Sequence, residues 1–208
     1  MMSVKDIVIR IRSFTHDKQQ TGYRDSDILG YINDGVRLMR RIIMSIRPEL
    51  LADDPVTGTL LAGESTIKLE KMISKVLEVT AGDKRLEPLS ANMVMDAQAT
   101  GIPDSFYLQG WKTIRVYPIP KKDIDYSVTV VSDMTLLDYD GASPFPTEID
   151  DFLIEYAVTR ASISNEFDVS QESSIMGNII SQATDFLRNM AQDTVFVDGY
   201  WGPHRGRC

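Results

Sequence analysis

The chain has 208 residues, 43% of them apolar, which is enough to bury a core as one domain or as one domain with a sizeable insert. Its 22 Lys and Arg against 30 Asp and Glu give a net charge of −8, opposite in sign to a surface that neutralises phosphates, so a dedicated DNA or RNA binder is disfavoured. No apolar stretch is long enough to span a bilayer, the start of the sequence lacks a signal-peptide pattern, and the only cysteine is Cys208. We therefore expect a protein made in the cytoplasm, with no membrane contact and no intrachain disulfide.

Two amphipathic helices are predicted at the start of the chain. Apolar residues spaced by three and four predict a short helix from about Ser3 to Phe14, with Ser3 as its N-cap. Ser26 is placed to cap a longer helix, which Pro48 ends. Its apolar stripe consists of Ile28, Ile32, Val36, Met39, Ile43 and Ile46.

Arg37 and Arg41 lie on the side of the second predicted helix opposite this stripe. The pattern has two interpretations. The two arginines form either an ordinary solvated face or a contact surface for an acidic partner or a neighbouring subunit.

The middle of the chain changes to the two-residue period of β-strands, with Gly82-Asp83 and Gly110-Trp111 as turns between strands. We predict a five- or six-stranded antiparallel module. Its strands are Thr66–Leu69, Lys75–Thr80, Arg85–Leu89, Ser105–Gln109, Thr113–Tyr117 and Tyr126–Val131.

Helical spacing resumes near Glu148 and predicts a helix to about Phe167, followed by a last helix over roughly Ser170–Gln192. Arg160 falls near the centre of the apolar face of the first of these helices. An unpaired buried arginine would cost several kcal/mol. We therefore expect a structural ion pair or a side chain that reaches solvent, rather than a ligand-binding residue.

The final segment, Val195–Cys208, has no regular period but is rich in aromatic and basic residues. Tyrosine, tryptophan and arginine are favoured interface anchors. The segment is therefore interpreted as an extended arm that orders on a partner, and the alternative is that it packs back over the chain's own core. The residues that would anchor the arm are Phe196, Tyr200, Trp201, Arg205 and Arg207.

These elements predict an α+β fold, an antiparallel helical bundle body with an inserted antiparallel β-module and an extended C-terminal arm. The predicted domains are a discontinuous helical body at 1–50 and 147–194, a β-module at 56–135, and the arm at 195–208.

No recognisable catalytic set is present. His16 and His204 are the only histidines, and no glycine-rich phosphate loop or dinucleotide fingerprint occurs. Asp53-Asp54 and Asp150-Asp151 could supply the paired carboxylates of a glycosidase, but the first pair fits a loop and the second fits a helix N-terminus. We predict no catalytic residue, no metal site and no cofactor.

Four segments in order resemble the head-to-tail adaptor (connector) proteins of tailed phages, and most of all the tubular adaptor of short-tailed phages. The resemblance covers roughly Lys5–Met190. It is carried by Asp27–Gly35 followed by Arg37, by Ile102–Leu108, by Ile114–Pro120 and by Glu155–Ala161.

The resemblance implies a structural virion protein in the neck of the particle, not an enzyme. Adaptors of this kind form a ring of about twelve copies between the portal and the tail, through which the genome DNA passes without specific binding. The implied partners are the portal protein, a tail nozzle or tail completion protein, and further copies of the chain. The arm at 195–208 would then dock on the portal.

Three other functions remain open at this point. A tail-tube or stopper subunit of the same virion is the nearest alternative. A tail-associated glycosidase and a monomeric binding module are further alternatives. The glycosidase would need two carboxylates close together in a cleft.

Overall fold

The structure, a computed structural model, describes residues 2–19, 21–94, 96, 98–163 and 170–198, and within the last range it describes the side chains of 173–190. The chain divides into two compact units. Met1–Arg47 and Thr135–Cys208 form one, called here the terminal unit, and Pro48–Met134 form the other, called the central unit.

The terminal unit contains four α-helices in its described residues. They are α1 (Val4–Phe14), α2 (Asp25–Ile46), α3 (Thr147–Ile163) and α4 (Ser170–Asp198). Helix α3 packs against each of the other three, so its apolar residues are buried on more than one side. The predicted stripe of α2 is confirmed from Ile28 to Ile43, all of whose apolar members are buried.

Polar residues lie at the N-termini of α1 and α2. Ser3 caps α1 as predicted, since its Oγ accepts a hydrogen bond from the Asp6 N–H at 3.1 Å. The predicted cap of α2 at Ser26 is wrong. The N-cap is Arg24, two residues earlier, so the helix begins at Asp25, and the Asp27 carboxylate accepts a hydrogen bond from the Arg24 N–H at 3.4 Å.

Two contacts of α2 hold it within the terminal unit. The buried Asn33 side chain donates to the Leu137 carbonyl at 3.1 Å and accepts from the Leu137 N–H at 2.8 Å. Gly35 lies against α3 so closely that a Cβ at this position would come 2.5 Å from Leu153 Cδ1 and 2.9 Å from Tyr156 Cδ1. Glycine is therefore required here for close helix packing.

The central unit contains ten strands in its described residues. They are β1 (Val56–Leu60), β2 (Thr66–Lys68), β3 (Ile73–Ala81), β4 (Lys84–Arg85), β5 (Glu87–Pro88), β6 (Thr100–Gly101), β7 (Ser105–Leu108), β8 (Thr113–Tyr117), β9 (Ile119–Pro120) and β10 (Ile124–Ser132). Short 3-10 helices occur at Pro48–Leu51 and Ala91–Met93. The predicted turns at Gly82 and Gly110 are confirmed, and both glycines have positive φ, the conformation that glycine adopts without steric cost.

The strands form three sheets. The first has the order β1-β10-β3-β4 and is antiparallel throughout. The second has the order β2-β8-β7-β5, in which β5 runs parallel to β7, and the third is the parallel pair β6-β9. Inward side chains of the two four-stranded sheets share one apolar core, which includes Val79, Val128, Val130, Ile67, Ile114 and Val116.

The predicted architecture is therefore wrong in its main claim. The chain is α+β overall, but it has only four α-helices against ten strands in three sheets in its described residues, and it has no helical-bundle body. The sheets are also not purely antiparallel. The predicted strands omit β1, β6 and β9 and merge β4 with β5. Strands of two residues, such as β6 and β9, are too short to show an alternating period. The predicted domain boundaries at 1–50 with 147–194, at 56–135 and at 195–208 stay a prediction.

Candidate partner-binding surfaces

A buried ion-pair cluster organises the connection between α1 and α2. The Arg12 guanidinium donates to Asp17 Oδ2 at 2.6 Å through Nη1 and to Asp25 Oδ1 at 2.5 Å through Nη2. Both Arg12 and Asp17 are buried. The Asp17 carboxylate also accepts the N–H groups of Thr21, Gly22 and Tyr23 at 2.8 to 3.1 Å.

These hydrogen bonds keep Asp17 ionised. The Gly22 N–H contributes most to holding the pKa of Asp17 below its ordinary value, against the opposing effect of burial, and the other backbone donors and Arg12 add to it. The cluster is thus a structural element and offers no free charge to a ligand. Sequence analysis missed it, although Arg12 follows Val8 by four residues on the buried side of α1.

A second buried carboxylate, Asp150, ties the start of the chain to the entrance of α3. It accepts hydrogen bonds from the Ser143 hydroxyl and, at 3.4 Å, from the Met2 N–H. The Ser143 N–H in turn donates to the Met2 carbonyl at 2.9 Å. Burial raises the pKa of Asp150 above its ordinary value despite these donors.

The other predicted carboxylate pair is also engaged structurally. Asp53 accepts from the Ser132 N–H at 2.8 Å and pairs with Lys71 at 3.3 Å, which fastens its loop to β10. Although burial opposes ionisation, the hydrogen bonds from Ser132 and Lys71 hold the pKa of Asp53 below its ordinary value. Within the ranges that the structure describes, no group of three His, Cys, Asp or Glu side chains could hold a metal ion.

Arg37 and Arg41 lie on the exposed side of α2. Arg37 pairs with Asp34 at 2.8 Å, and Arg41 Nε donates to the Arg37 carbonyl at 3.4 Å. The exposed side of α2 therefore carries Asp27 and Asp34 in its first half and two arginines in its second. Whether this face binds a partner stays a prediction.

Arg160 is half-buried on α3, and its Nε is buried without a hydrogen-bond partner among the described residues. The predicted structural ion pair of Arg160 stays a prediction, since residues 164–169, close to it in sequence, lie outside the described part of the chain.

The predicted arm falls mostly outside the described residues. Helix α4 extends to Asp198, four residues into the segment assigned to the arm, and includes the backbone of Phe196. Tyr200, Trp201, Arg205 and Arg207 lie outside the described range, as does the side chain of Phe196. The portal-docking role of these residues stays a prediction.

Both units expose large apolar side chains that sequence analysis did not single out. In the central unit, Ile102 is 80% exposed and Trp111, at the β7–β8 turn, is 73% exposed. In the terminal unit, Ile9 and Phe14 on α1 are 63% and 64% exposed. Large exposed apolar side chains are available as anchors for a protein partner. The signal available in the sequence was the position of Trp111 directly after a turn glycine.

The described geometry therefore combines structural ion pairs with exposed apolar side chains. A family model described as SU10 adaptor protein matches residues 2–200. The chain belongs to the SU10 adaptor protein family. No curated protein matches the sequence.

Membership in the SU10 adaptor family confirms the resemblance to phage head-to-tail adaptors. The family description indicates a structural adaptor, a component of the virion that interacts with other virion parts such as portal and tail. It points to a structural protein rather than an enzyme. None of the helices in the described ranges has both the length and the apolar character needed to cross a membrane.

Proposed function

We propose that this SU10 adaptor family member forms a ring of about twelve copies between the portal and the tail, and that the ring lines the channel through which the DNA leaves. The observation that carries the proposal is the family match over residues 2–200, which includes both units. The ring, its size and its channel are the parts that need testing.

The charge pattern of α2 supports a contact between copies. Asp27 and Asp34 precede Arg37 and Arg41 on the exposed side of the helix, so the two halves of this side carry opposite charges. Such a surface meets its complement on a neighbouring copy, and complementary charges fix register more than they add affinity. A head-to-tail contact of this kind closes into a ring when the rotation between copies permits it.

The composition of residues 199–208 supports a docking role for the end of the chain. This segment contains Tyr200, Trp201, Arg205 and Arg207 and no acidic residue. Tryptophan, tyrosine and arginine are enriched among the few residues that supply most of the binding energy at protein interfaces. In the proposed assembly this segment docks on the portal, and the exposed apolar residues of the central unit meet the tail nozzle or tail completion protein.

The net charge of −8 is compatible with a DNA conduit. Each cationic contact to phosphate adds attraction that does not depend on sequence, and a strongly basic lining would slow the passage of DNA. The proposed ring therefore contacts the genome without binding it specifically.

The test is the mass of the purified chain, alone and mixed with its cognate portal, measured by light scattering and by native mass spectrometry. A truncation after Asp198 removes residues 199–208 but keeps α4 complete. We expect a portal-dependent ring for the full chain and loss of portal binding for the truncated chain. A full chain that stays monomeric with the portal would contradict the proposal, and one that binds only tail proteins would identify a tail-tube or stopper subunit instead.

A charge reversal tests the role of α2 separately. Replacing Arg37 and Arg41 with Glu should prevent ring closure while leaving the chain folded, because both side chains are exposed. The matched control is Lys121→Glu with Lys122→Glu, which changes the net charge equally at two exposed lysines of the central unit. Equal ring formation by the two double variants would show that the exposed side of α2 does not contribute to the contact between copies.

A further inference from the structure

The outer face of the second sheet of the central unit carries a polar groove of about 740 Å³. Strands β2 and β8 form its floor, and side chains with hydrogen-bonding groups line it. They include Thr66, Lys68, Gln98, Gln109, Thr113 and Arg115. The groove lies wholly within the central unit, and no part of the family description assigns it a role.

Arg115 lies at the centre of this face. On β8 it is directly opposite Thr66 of β2 on one side and Tyr107 of β7 on the other. Its side chain is half-buried, and its Nε is buried without a hydrogen-bond partner among the described residues. A buried donor without an acceptor is energetically unfavourable, so an incoming acceptor at this point would be stabilised.

The groove is a positive region on an acidic protein. Its charged lining residues are Lys68, Arg115 and Glu64. Glu64 is part of a turn, where its carboxylate accepts from the Leu61 N–H at 3.4 Å. The lining of the groove thus carries two positive charges against one negative charge, and guanidinium groups bind carboxylates with particular strength and geometric specificity.

One side of the groove is an open sheet edge. Strand β2 is the first strand in the order β2-β8-β7-β5, so one side of it faces no other strand of its sheet. The Val116 N–H donates to the Ser65 carbonyl and the Leu69 N–H donates to the Lys112 carbonyl, at 2.9 and 2.8 Å. Since hydrogen-bonding direction alternates along a strand, the backbone groups of Thr66 and Lys68 point away from β8 toward this open edge.

We propose that the groove binds an extended acidic segment of a partner protein, which adds as a strand to the open edge of β2. Its backbone pairs with Thr66 and Lys68, and its alternate carboxylate side chains meet Lys68 and Arg115. Alternate residues of a strand lie on one face about 6.8 Å apart, so two carboxylates separated by one residue can serve both cations. Thr66, the residue between Arg115 and the open edge, has a short side chain.

The positive charge of the groove also disfavours basic segments as its ligand. Residues 199–208 of this chain contain Arg205 and Arg207 and no acidic residue, so they have the wrong charge to bind beside Lys68 and Arg115. The proposed binding site lies within the central unit, and peptide binding to it does not depend on ring formation.

The test measures binding of a fluorescent peptide of alternating threonine and glutamate to the full chain by anisotropy. Three probes are compared with it: the same peptide with glutamine in place of glutamate, the acidic peptide with alternate backbone nitrogens methylated, and a labelled oligothymidylate. We expect the glutamine peptide and the methylated peptide each to bind at least about tenfold more weakly than the acidic peptide.

Three variants locate the site. Lys68→Gln with Arg115→Gln should weaken binding of the acidic peptide at least about tenfold, whereas Lys121→Gln, at an exposed lysine outside the groove, should leave it unchanged. Arg115→Lys should retain part of the affinity, which separates a charge effect from misfolding.

Four results would overturn the inference. They are no binding of the acidic peptide at about 1 mM, equal binding of the glutamine peptide, equal binding of the methylated peptide, and tighter Arg115-dependent binding of the oligothymidylate.

Discussion

Gly35 offers the sharpest test of the packing between α2 and α3, because α2 contains a second glycine as a matched control. A Cβ at Gly35 would lie 2.5 Å from Leu153 Cδ1 and 2.9 Å from Tyr156 Cδ1, whereas a Cβ at the exposed Gly30 would meet nothing within 4 Å. Alanine at either position gains the same helix propensity. The two substitutions therefore differ only in the contact with α3.

The expected effects have opposite sign. Carbon atoms pack comfortably at about 3.5–4.0 Å, so alanine at position 35 requires its neighbours to move by about 1 Å. Leu153 is fully buried, and close-packed protein interiors contain few voids into which a side chain can move. Overpacking of this kind costs about 1–3 kcal/mol, and the gain in helix propensity over glycine offsets at most about 1 kcal/mol of it.

We therefore expect Gly35→Ala to lower the free energy of unfolding by up to about 2 kcal/mol. We expect Gly30→Ala to raise it by up to about 1 kcal/mol. The measurement is urea denaturation followed by circular dichroism at the helix band, at a protein concentration low enough to avoid assembly.

A double variant checks the cause. In Gly35→Ala with Leu153→Ala, the leucine atom that meets the new methyl group is absent, so the two effects should be less than additive by about 1 kcal/mol or more. Equal stability of the two single glycine variants would refute the close approach of α2 and α3, and strict additivity in the double variant would refute Leu153 as its cause.

Three further predictions concern the buried charges. Arg12→Met should lower the melting temperature far more than Arg37→Met, because Arg12 is buried between two carboxylates and Arg37 is half-exposed; equal effects in thermal scans would contradict the cluster. Asp17→Asn should be less stable than the wild type near neutral pH, because the lowered native pKa of Asp17 means that its ionised form stabilises the fold. Protonation removes this contribution, so the difference in free energy of unfolding should shrink as pH falls through the native pKa of Asp17. Asp150 should behave oppositely. Its native pKa is raised, so the stability of the wild type relative to Asp150→Asn should be greatest below pH 3.8, the ordinary pKa of Asp. This stability difference should fall as pH rises through the native pKa of Asp150. If urea titrations show a difference that does not change with pH, the burial of Asp150 is contradicted.

The helices were predictable from the sequence where the period was strong. In α2, apolar residues recur every three or four positions over five turns, and the structure buries the residues that this stripe contains from Ile28 to Ile43. Helix α3 is different because it packs against α1, α2 and α4 and is apolar on more than one side. Its length could be estimated, but its central position depends on residues far away in the chain.

The sheets were predictable only in part. The turns at Gly82 and Gly110 have local signals, because glycine is needed where φ is positive. Strands such as β5 and β6 have two residues each and pair with β7 and β9 in parallel, an arrangement that no local pattern indicates. This is why the predicted helical-bundle body was wrong and why sheets contribute more to the fold than expected.

The charged residues show the same limit. The sequence pattern singled out Arg37, Arg41 and Arg160 but not Arg12 or Arg115, although Arg12 is buried between two carboxylates and the Nε of Arg115, like that of Arg160, is buried without a partner among the described residues. The buried position of Arg12 depends on a loop that folds back onto it, and that of Arg115 depends on two neighbouring strands. Neither neighbourhood is contiguous in sequence.

The acidic charge, the helical stripes, the turn glycines and the resemblance to phage adaptors could be read from the amino-acid sequence, since each depends on composition or on residues within a few positions of one another. The pairing of the strands, the burial of particular arginines and the open edge of β2 beside Arg115 became known from the fold. Pairing and burial are set by contacts between residues distant along the chain, and their free energies depend on neighbours that a local pattern does not contain.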